Sequence, residues 1–456
     1  MATAEAARQT RPKASDPLSL ATLGWYALPG AGVSFLYTLI LVMFLKFATD
    51  VLLVSSAAVG MLMLGSKVWD AVSDPVAGFL SDRTRTRRGR RKSWLLAGSL
   101  PLALFSIMLW APPTSLGETA LLVWIGVAIF GFYTAYTAID VPHLALGAEL
   151  SHAPRDRNRI FGARQLLRSA GLVLAFGIGV ALLDTPSARS NAPPLAVLAG
   201  LATALSIWAA VRRLPPERGD YSGRGGTNPL RSLRDVWRNR LARIVLIVYF
   251  IEMLGMGGIG VLSPFVIEYV LEMPGHTWWL LLGYVVPGIL SVPLWVRLGS
   301  HFEKRRLWMF AMGASGVGFG MLLFVTPGAW PLMLASTVIA GTAGACSNTI
   351  GVSLKADIID VDEHATGERK EGAYFAAWAF VSKLAAGLMM GFVGVALQWI
   401  GFEPGGVQTP EVRRGILFLI GGLPLLGFGL GMALFTRFDL SEQEHARIRR
   451  EIDARR

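Results

Sequence analysis

Four ionisable residues, Asp70, Asp74, Asp140 and Lys383, lie within apolar stretches of the sequence that are long enough to cross a membrane. An ionised side chain at that depth costs roughly 2.5–3.5 kcal/mol even on lenient scales, so these residues indicate a functional site with a charged partner or a bound ion. Asp70 and Asp74 are four positions apart, and a helix places both carboxylates on one face, about one turn apart. Lys67 joins that face three positions earlier. Two carboxylates in this arrangement can hold a cation between them.

The third acid, Asp140, has hydroxyl groups on its own side of a predicted helix. They belong to Tyr133, Tyr136 and Thr137, at positions i−7, i−4 and i−3. Lys383 lies too deep in its segment for its ammonium to reach the membrane surface easily, so we expect it to pair with an acid. Two alternatives stay open: Asp140 only caps or kinks its helix before Pro142, and Lys383 makes a purely structural ion pair.

The charge of this group of residues predicts ion coupling. With Lys383 protonated, the three acids would leave about two surplus negative charges in a low-dielectric cavity, where they could not all stay ionised. Either Na⁺ enters or at least one acid takes a proton, and both routes link an ion to the conformation of the protein.

The composition indicates what kind of secondary structure positions these ionisable residues. Of 456 residues, 53% are hydrophobic and 16% are charged, which lies outside the range of soluble globular domains. The sequence therefore predicts an all-α polytopic membrane protein. Twelve apolar segments are long enough to span a bilayer, at residues 20–47, 54–81, 94–113, 118–149, 159–184, 194–213, 241–271, 277–300, 307–326, 329–356, 372–401 and 412–436.

The net charge of +12 comes from basic residues that collect in alternate loops. Seven Lys or Arg residues lie in 83–92, and further clusters lie in 155–159, 212–240 and 304–306. This pattern indicates membrane orientation and not a nucleic-acid-binding face. It places both termini in the cytoplasm of a multi-pass plasma-membrane protein, the inner membrane in a bacterium. Lys46 then lies near the outer end of its span, where we expect its ammonium to reach the interface.

A polar segment rich in Pro, Gly and charge lies in the middle of the chain, with six spans on each side. This plan predicts two structural repeats related about the membrane normal. The predicted division is a cytoplasmic N-terminal segment 1–17, a six-helix half 18–213, a cytoplasmic linker 214–240, a second six-helix half 241–436 and a cytoplasmic tail 437–456. We expect the charged tail to be a solvated terminus and the chain to act as a monomer.

Several classes of protein are disfavoured by missing patterns. The single cysteine, Cys346, permits no intramolecular disulfide, and no Cys/His cluster has metal-ligand spacing. There is no phosphate-binding loop and no HExxH, CxxC or GxSxG motif, so neither nucleotide-driven transport nor a membrane enzyme is indicated. The polar first 17 residues lack the features of a cleavable signal peptide.

Motifs along nearly the whole chain point to one family. They are WDAVSDP at 69–75, the basic turn ending in RRGRRKSW, DVP at 140–142, the Asp and Arg cluster opening the fifth span, and GERKEG at 367–372 followed by Lys383. With them the chain resembles the glycoside-pentoside-hexuronide:cation symporters of the major facilitator superfamily, typified by the melibiose permease. The resemblance implies a twelve-helix fold of two halves around a central cavity, with Na⁺ or H⁺ driving uptake of a small molecule and no other cofactor.

The resemblance also implies roles for residues at matching positions. Asp70 and Asp74 would bind the cation, which is Na⁺ or H⁺. Thr137 would contribute an oxygen, and Ser73 belongs to the same predicted site. Asp140 and Arg164 would serve substrate binding, and Lys383 the charge network joining the halves. The other candidates for the substrate site are Tyr26, Ser34, Tyr133, Tyr136 and Trp378. The candidates for a gating and charge network are Lys67, Asp82, Arg83, Arg88, Arg297 and Glu371.

Three departures from the family pattern bear on the substrate and the ion. Ser34 stands where the type member has a sugar-binding acid, and Leu144 where it has an aromatic platform, which disfavours a galactoside. Ser73 replaces an asparagine and removes one carbonyl ligand, which leaves Na⁺ and H⁺ both open. The eukaryotic lysolipid transporters, which resemble the same family, also lack the acid at the position of Ser34. The predicted substrate is therefore a sugar or glycoside, with an amphipathic lysolipid-like or other organic solute as the alternative.

Overall fold

The computed structural model describes residues 18–151, 154–217, 236–367 and 371–455. The predicted N-terminal segment 1–17, most of the predicted linker and part of the motif at 367–372 lie outside these residues. The described ranges contain helices and no strand. In chain order the helices are α1 (Leu20–Lys46), α2 (Ser56–Arg83), α3 (Arg90–Trp110), α4 (Glu118–Leu150), α5 (Pro154–Leu174), α6 (Ala188–Arg213), α7 (Arg240–Phe265), α8 (Thr277–Gly299), α9 (Lys304–Met321), α10 (Trp330–Thr366), α11 (Glu371–Trp399), α12 (Pro410–Leu417 and Leu423–Phe435) and α13 (Glu442–Arg455).

Several helices continue through short stretches of wider, π-helical backbone. These stretches are Phe47–Val51 after α1, Ala175–Val180 after α5, Val266–Val270 after α7 and Phe418–Gly422 within α12. Such turns often mark functional sites because they disturb the regular hydrogen-bond ladder. Two of them, after α1 and after α7, carry acidic residues at one end of the molecule, Asp50 and Glu268.

Within the described ranges, eleven helices are long and apolar enough to cross a membrane. The remaining predicted span is α2, whose 28 residues would extend about 42 Å. Lys67, Asp70 and Asp74 place three ionisable side chains within eight residues of this helix. The all-α polytopic prediction is confirmed, whereas the count of twelve spans, the division into halves and the cytoplasmic termini stay predictions.

The C-terminal end of α10 differs from its predicted boundary. We predicted a span ending at 356, but the helix continues to Thr366. The additional turns carry acids with basic partners on other helices: Lys304 of α9 lies 2.7 Å from Asp357, and Arg449 of α13 lies 3.0 Å from Asp360. Hydropathy alone ends the segment too early because these contacts stabilise a polar extension.

The prediction of a solvated tail is wrong for α13. This helix packs against α10 and buries the side chains of Ile448 and Ile452. His445 lies 3.0 Å from the carboxylate of Asp360. The spacing of the two isoleucines, four residues apart, was the available signal, because it gives a charged helix one apolar edge.

The most extensive contact between helices separated by the central segment is that of α2 with α11. Small residues allow it: an added Cβ at Gly394 would lie 2.4 Å from the Ser56 carbonyl oxygen, and one at Gly391 would lie 2.9 Å from the Leu64 side chain. Close approach of helices through small residues is typical of membrane proteins. It brings Lys383 of α11 to the acidic face of α2.

Candidate cation and substrate site

The two acids of α2 share a hydroxyl group from α4. Thr137 Oγ1 lies 2.9 Å from Asp70 Oδ1 and 3.0 Å from Asp74 Oδ1. A hydroxyl carries one proton, so at any moment it donates to one of the two carboxylates. Ser73 adds a second hydroxyl, 3.3 Å from that of Thr137. The predicted cation residues therefore lie together, with Asp70 buried and Asp74 half-buried.

Lys383 completes this group from α11. Its ammonium lies 2.9 Å from Asp70 Oδ2 and is in direct contact with Asp74 Oδ2. The ammonium is a monovalent cation held between two carboxylates, so the arrangement is able to hold one monovalent charge. Of the three acids predicted as partners, the two on α2 are the ones that Lys383 contacts.

The third acid has partners of its own. Asp140 Oδ1 accepts hydrogen bonds from Arg164 at 2.5 Å and from Arg168 at 2.9 Å, both on α5. The two arginines are four residues apart and share a helix face. Sequence reasoning missed Arg168, although its spacing from Arg164 was the signal that could have found it. Charge-assisted bonds of this kind are among the strong ones in proteins.

These pairings correct the predicted charge balance. The surplus of two negative charges is wrong for this structure, because the count omitted Arg164 and Arg168. With all groups ionised, Asp70, Asp74 and Lys383 carry a net charge of about −1, and the group around Asp140 about +1. Thr137 and Asp140 are three residues apart on α4, so the two groups of opposite surplus are neighbours on one helix face.

The ammonium of Lys67 lies in a group of tyrosines, and it also interacts electrostatically with Asp70 on its own helix. It donates to the Tyr37 hydroxyl at 2.8 Å and lies 4.2 and 4.1 Å from the ring centroids of Tyr37 and Tyr133. The ring of Tyr136 packs against that of Tyr37 at 5.2 Å. Cation–π contacts of this kind stabilise a desolvated ammonium.

Three further substrate-site candidates are buried. Tyr26 is fully buried and donates to the His143 carbonyl oxygen at 3.0 Å, so it joins α1 to α4. Ser34 is also buried on α1. Trp378 of α11 is buried, and the Lys355 ammonium lies 5.2 Å from its ring centroid. Tyr26 is close enough to Asp140 and Arg164 to interact with them electrostatically, whereas Ser34 and Trp378 have no described contact with that group.

The basic turn between α2 and α3 is tied to neighbouring helix ends. Arg91 contacts Asp82 directly and lies 3.3 Å from Glu149 at the end of α4, whereas Arg90 lies 2.8 Å from Glu149. Glu217 accepts backbone N–H groups at the start of α3, including that of Lys92 at 2.7 Å. A carboxylate is favoured there by the helix dipole.

The remaining gating candidates are not brought together. Arg83 lies 3.8 Å from the ring centroid of Phe79 on its own helix. Arg88 and Arg297 are exposed, and neither has an ion pair among the described residues. Glu371 begins α11, but its side chain lies outside the described set.

A charge network missed by sequence reasoning lies at the end of the molecule that is predicted to face outside. We call it the outer network, and it comprises Lys46, Asp50, Asp184, Glu268, Tyr269 and Thr277. Lys46 is buried; its ammonium contacts Glu268 directly and lies 3.6 Å from Asp50 and 3.7 Å from Asp184. The expectation that this ammonium reaches the membrane interface is therefore wrong, because three carboxylates hold it inside.

Two more hydrogen bonds complete the outer network. Tyr269 donates to Asp50 at 2.6 Å, and the Thr277 backbone N–H donates to Asp184 at 3.1 Å. Each bond joins a residue of the first six helices or their connections to one that follows the central segment. The acids lie near span ends, and sequence gives no means of knowing which span ends meet.

The fold and the buried charges define a multi-pass membrane transporter of the major facilitator type. The chain matches the family described as MFS/sugar transport protein over residues 25–442, and it belongs to that family. It is a transporter and not an enzyme, as predicted, and the resemblance to cation symporters is confirmed at the level of the family. Its place is the bacterial inner membrane, which it crosses several times.

Relatives and a solved structure agree with this assignment. The chain is 26% identical over 459 residues to the glucuronide carrier protein homolog of Escherichia coli, covering 97% of each chain. It is 24% identical to the sodium-dependent lysophosphatidylcholine symporter 1-A of Danio rerio, covering 87% of this chain and 81% of the relative. The crystal structure of the nucleoside transporter NupG superposes with a TM-score of 0.71 at 13% identity, over 91% of this chain and 99% of that one.

Proposed function

We propose that the protein is a symporter that couples uptake of a sugar or glycoside to a monovalent cation bound at Asp70 and Asp74. The observation that carries this proposal is the ammonium of Lys383 held between the two carboxylates beside Thr137. A preformed site that binds one monovalent charge can exchange it for another.

The charge of the cation site sets the proposed stoichiometry. Two carboxylates and one ammonium leave a surplus of about −1, so one Na⁺ or one proton neutralises the site. A cation that takes the place of the ammonium frees Lys383 to contact other groups. Loading would thereby change the contact between α2 and α11, and this change is how the ion would bias the conformation.

The Asp140 group is the proposed substrate site. One carboxylate shared by two guanidinium groups leaves a surplus of about +1. Asp140 can accept from sugar hydroxyls, and a guanidinium binds a carboxylate through two parallel hydrogen bonds. We therefore propose a glycoside with an acidic group as the preferred substrate, in agreement with the name of the glucuronide relative.

The outer network supports alternating access with the outer end closed. Among the described residues, side-chain bonds between the first six and the last six helices or their connections lie in the outer network, at Ser55 with Gln398 (3.4 Å), at Ser56 with the Gly394 carbonyl (2.9 Å), and at Lys383. At the predicted inner end, the described ion pairs join helices on the same side of the central segment. We infer that this conformation is open toward the cytoplasm.

Uptake into proteoliposomes tests the proposal, with Na⁺ and pH gradients imposed separately. The substrate panel is methyl glucuronide, methyl galactoside and lysophosphatidylcholine, and the matched control for the acid variants is Glu118→Gln, an exposed acid at the start of α4. We expect gradient-driven accumulation of the glucuronide. Accumulation of lysophosphatidylcholine instead would favour the alternative of an amphipathic substrate. Accumulation of substrate above its external concentration without any Na⁺ or pH gradient would contradict symport.

A further inference from the structure

A second buried acid, Glu252 of α7, lies outside the proposed cation and substrate sites. It is 1% exposed. Its Oε1 accepts from the Trp308 indole N–H at 2.7 Å and lies 3.0 Å from Ser347 Oγ, which is also 3.1 Å from Oε2. The three residues come from three helices, α7, α9 and α10. No described residue makes an ion pair with Glu252.

The partners of Glu252 are neutral and offer few hydrogen atoms. The Trp308 indole N–H also lies 3.1 Å from Ser347 Oγ, so one indole proton and one hydroxyl proton serve four short contacts when the acid is ionised. A protonated Glu252 adds a third proton, which Oε2 can donate to Ser347 while Ser347 donates to Oε1.

The depth of Glu252 in the membrane adds to this argument. It lies twelve residues after the start of α7, about 18 Å along a span of 31 residues that continues to Val270. An ionised carboxylate near the bilayer centre costs a few kcal/mol unless a cation compensates it. Neutral donors alone compensate it less than a cation would.

The charged group that acts on Glu252 is Lys355 of α10. Its ammonium lies 3.5 Å from the ring centroid of Tyr249, three residues before Glu252 on α7. The other titratable neighbours are Tyr249 itself and Cys346 of α10. An ammonium packed on a ring can change partners when helices move. Its approach to Glu252 would stabilise the carboxylate and release the proton.

We propose that Glu252, Trp308 and Ser347 form a proton-binding site that is separate from the cation site at Asp70 and Asp74. The proton is bound in this conformation and exchanges when α9 and α10 shift against α7. Protonation of Glu252 is argued from its burial, its depth in the membrane and its neutral hydrogen-bond partners, and it does not depend on the proposed function. The use of this proton in transport rests on the proposed function.

Infrared spectroscopy of the purified protein in lipid nanodiscs tests the protonation. We expect a carboxylic-acid C=O band that is lost in Glu252→Gln and retained in Glu118→Gln, that shifts in D₂O, and that disappears as the pH is raised. An unchanged spectrum in Glu252→Gln means that the group is ionised and overturns the proposal. A band that neither shifts in D₂O nor titrates marks a fixed structural acid and also overturns it.

A second variant keeps the proposal testable if Glu252→Gln does not fold. Trp308→Phe retains the acid and removes one donor to Oε1, so the C=O band should move to higher frequency. No movement would show that the band belongs to another acid and contradict the assignment.

Transport separates this proposal from the proposed function. In proteoliposomes with enough Na⁺ to load Asp70 and Asp74, Glu252→Gln should lose the dependence of methyl glucuronide uptake on pH that remains in the wild type. An unchanged pH profile would overturn the role of this proton in coupling. If the wild type transports nothing, the proposed function fails, whereas the infrared result still decides whether Glu252 binds an exchangeable proton.

Discussion

At the scale of single residues, the properties of the cation site follow from the competition between an ammonium and a mobile cation. Lys383 is tethered, so its ammonium binds the two carboxylates at a high effective concentration. A free cation displaces it only if its own oxygen ligands, two carboxylates and the hydroxyls of Thr137 and Ser73, compensate for its lost hydration. Hydroxyls are weaker ligands for Na⁺ than amide oxygens, so a site that offers only hydroxyls beside its two carboxylates disfavours Na⁺ relative to a proton.

Neutralising one acid tests this competition. Asp74→Asn should abolish accumulation of substrate above its external concentration and permit downhill exchange, because the site loses cation affinity while the cavity remains. Accumulation ratio and counterflow in proteoliposomes measure the two activities, with Glu118→Gln as the control. Undiminished uphill uptake by Asp74→Asn would rule out Asp74 as a coupling ligand.

The second arginine at Asp140 gives a prediction about charge selectivity. Arg168→Gln should raise the KM for methyl glucuronide about tenfold or more, since a hydrogen bond to a charged group is worth about 1.5–3 kcal/mol. The KM for a neutral methyl glycoside should change much less. Arg168→Lys keeps the charge and serves as the control. Equal losses for acidic and neutral glycosides would instead indicate that Arg168 only holds Asp140 in place.

The single residues also show what sequence could and could not predict. Asp70, Asp74 and Lys383 could be identified because a buried charge in an apolar span has few explanations. Arg168 was within reach through its spacing from Arg164. Asp50 was also within reach, four residues after Lys46. The other partners of Lys46 were not, because Glu268 and Asp184 lie more than 100 positions away along the chain and resemble any other acid at the end of a span. Lys67 was assigned to the carboxylate face by spacing, whereas packing turned its ammonium toward Tyr37 and Tyr133.

At the scale of elements, α2 connects proposed cation binding with the packing of the first six helices against the last six. It carries the cation ligands and also forms the close glycine contact with α11, where Gly387 packs against the Lys67 side chain. A change in the charge at Asp70 and Asp74 therefore acts on the helix pair that joins the first and last six helices. The periodicity of α2 predicted which residues share a face, but the partner of that face became known only from the packing.

The outer network gives a prediction at this scale. Glu268→Gln removes the direct ionic partner of Lys46 and should shift the population toward outward-open conformations by about tenfold, because a charge-assisted bond is worth at least about 1.5 kcal/mol. Double electron–electron resonance between labels in the α1–α2 and α7–α8 loops, with Cys346→Ala as background, measures the shift. Glu411→Gln is the control, since Glu411 pairs with Arg414 on its own helix. Unchanged distances would show that the outer network does not hold the closed state.

At the scale of the whole molecule, the fold was predictable and the conformation was not. Apolar segments and basic loops predict the number and direction of spans, since both follow from the cost of placing polar groups in lipid. Which end is closed depends on weak differences between contacts of distant helices. We infer that the outer network, the contact of α2 with α11 and the pairing of Lys383 hold the outer end closed in this conformation, and that the empty carrier must break them to reopen outward.

The dependence of accumulation on pH and Na⁺ tests the coupled mechanism of the whole molecule. With a surplus of about −1 at Asp70, Asp74 and Lys383, one bound proton or one Na⁺ completes the site. If H⁺ is the coupling ion, raising the pH at low Na⁺ should weaken accumulation, because the acids then stay ionised and unloaded. Added Na⁺ should restore it only if the two carboxylates accept the metal beside Ser73.

Lys383→Ala, measured over the same matrix of pH and Na⁺, shows whether the ammonium is part of this coupling. Without the ammonium, Asp70 and Asp74 face each other uncompensated, so at least one should hold a proton over the whole range in which the wild type responds to pH. The variant should therefore lose accumulation driven by a pH gradient and retain downhill exchange. A variant with the wild-type response would show that Lys383 only holds the helices together. If wild-type accumulation depended on neither Na⁺ nor pH, the chain would be a uniporter on the same fold. Nothing would then link the charge at Asp70 and Asp74 to the movement of α2 against α11.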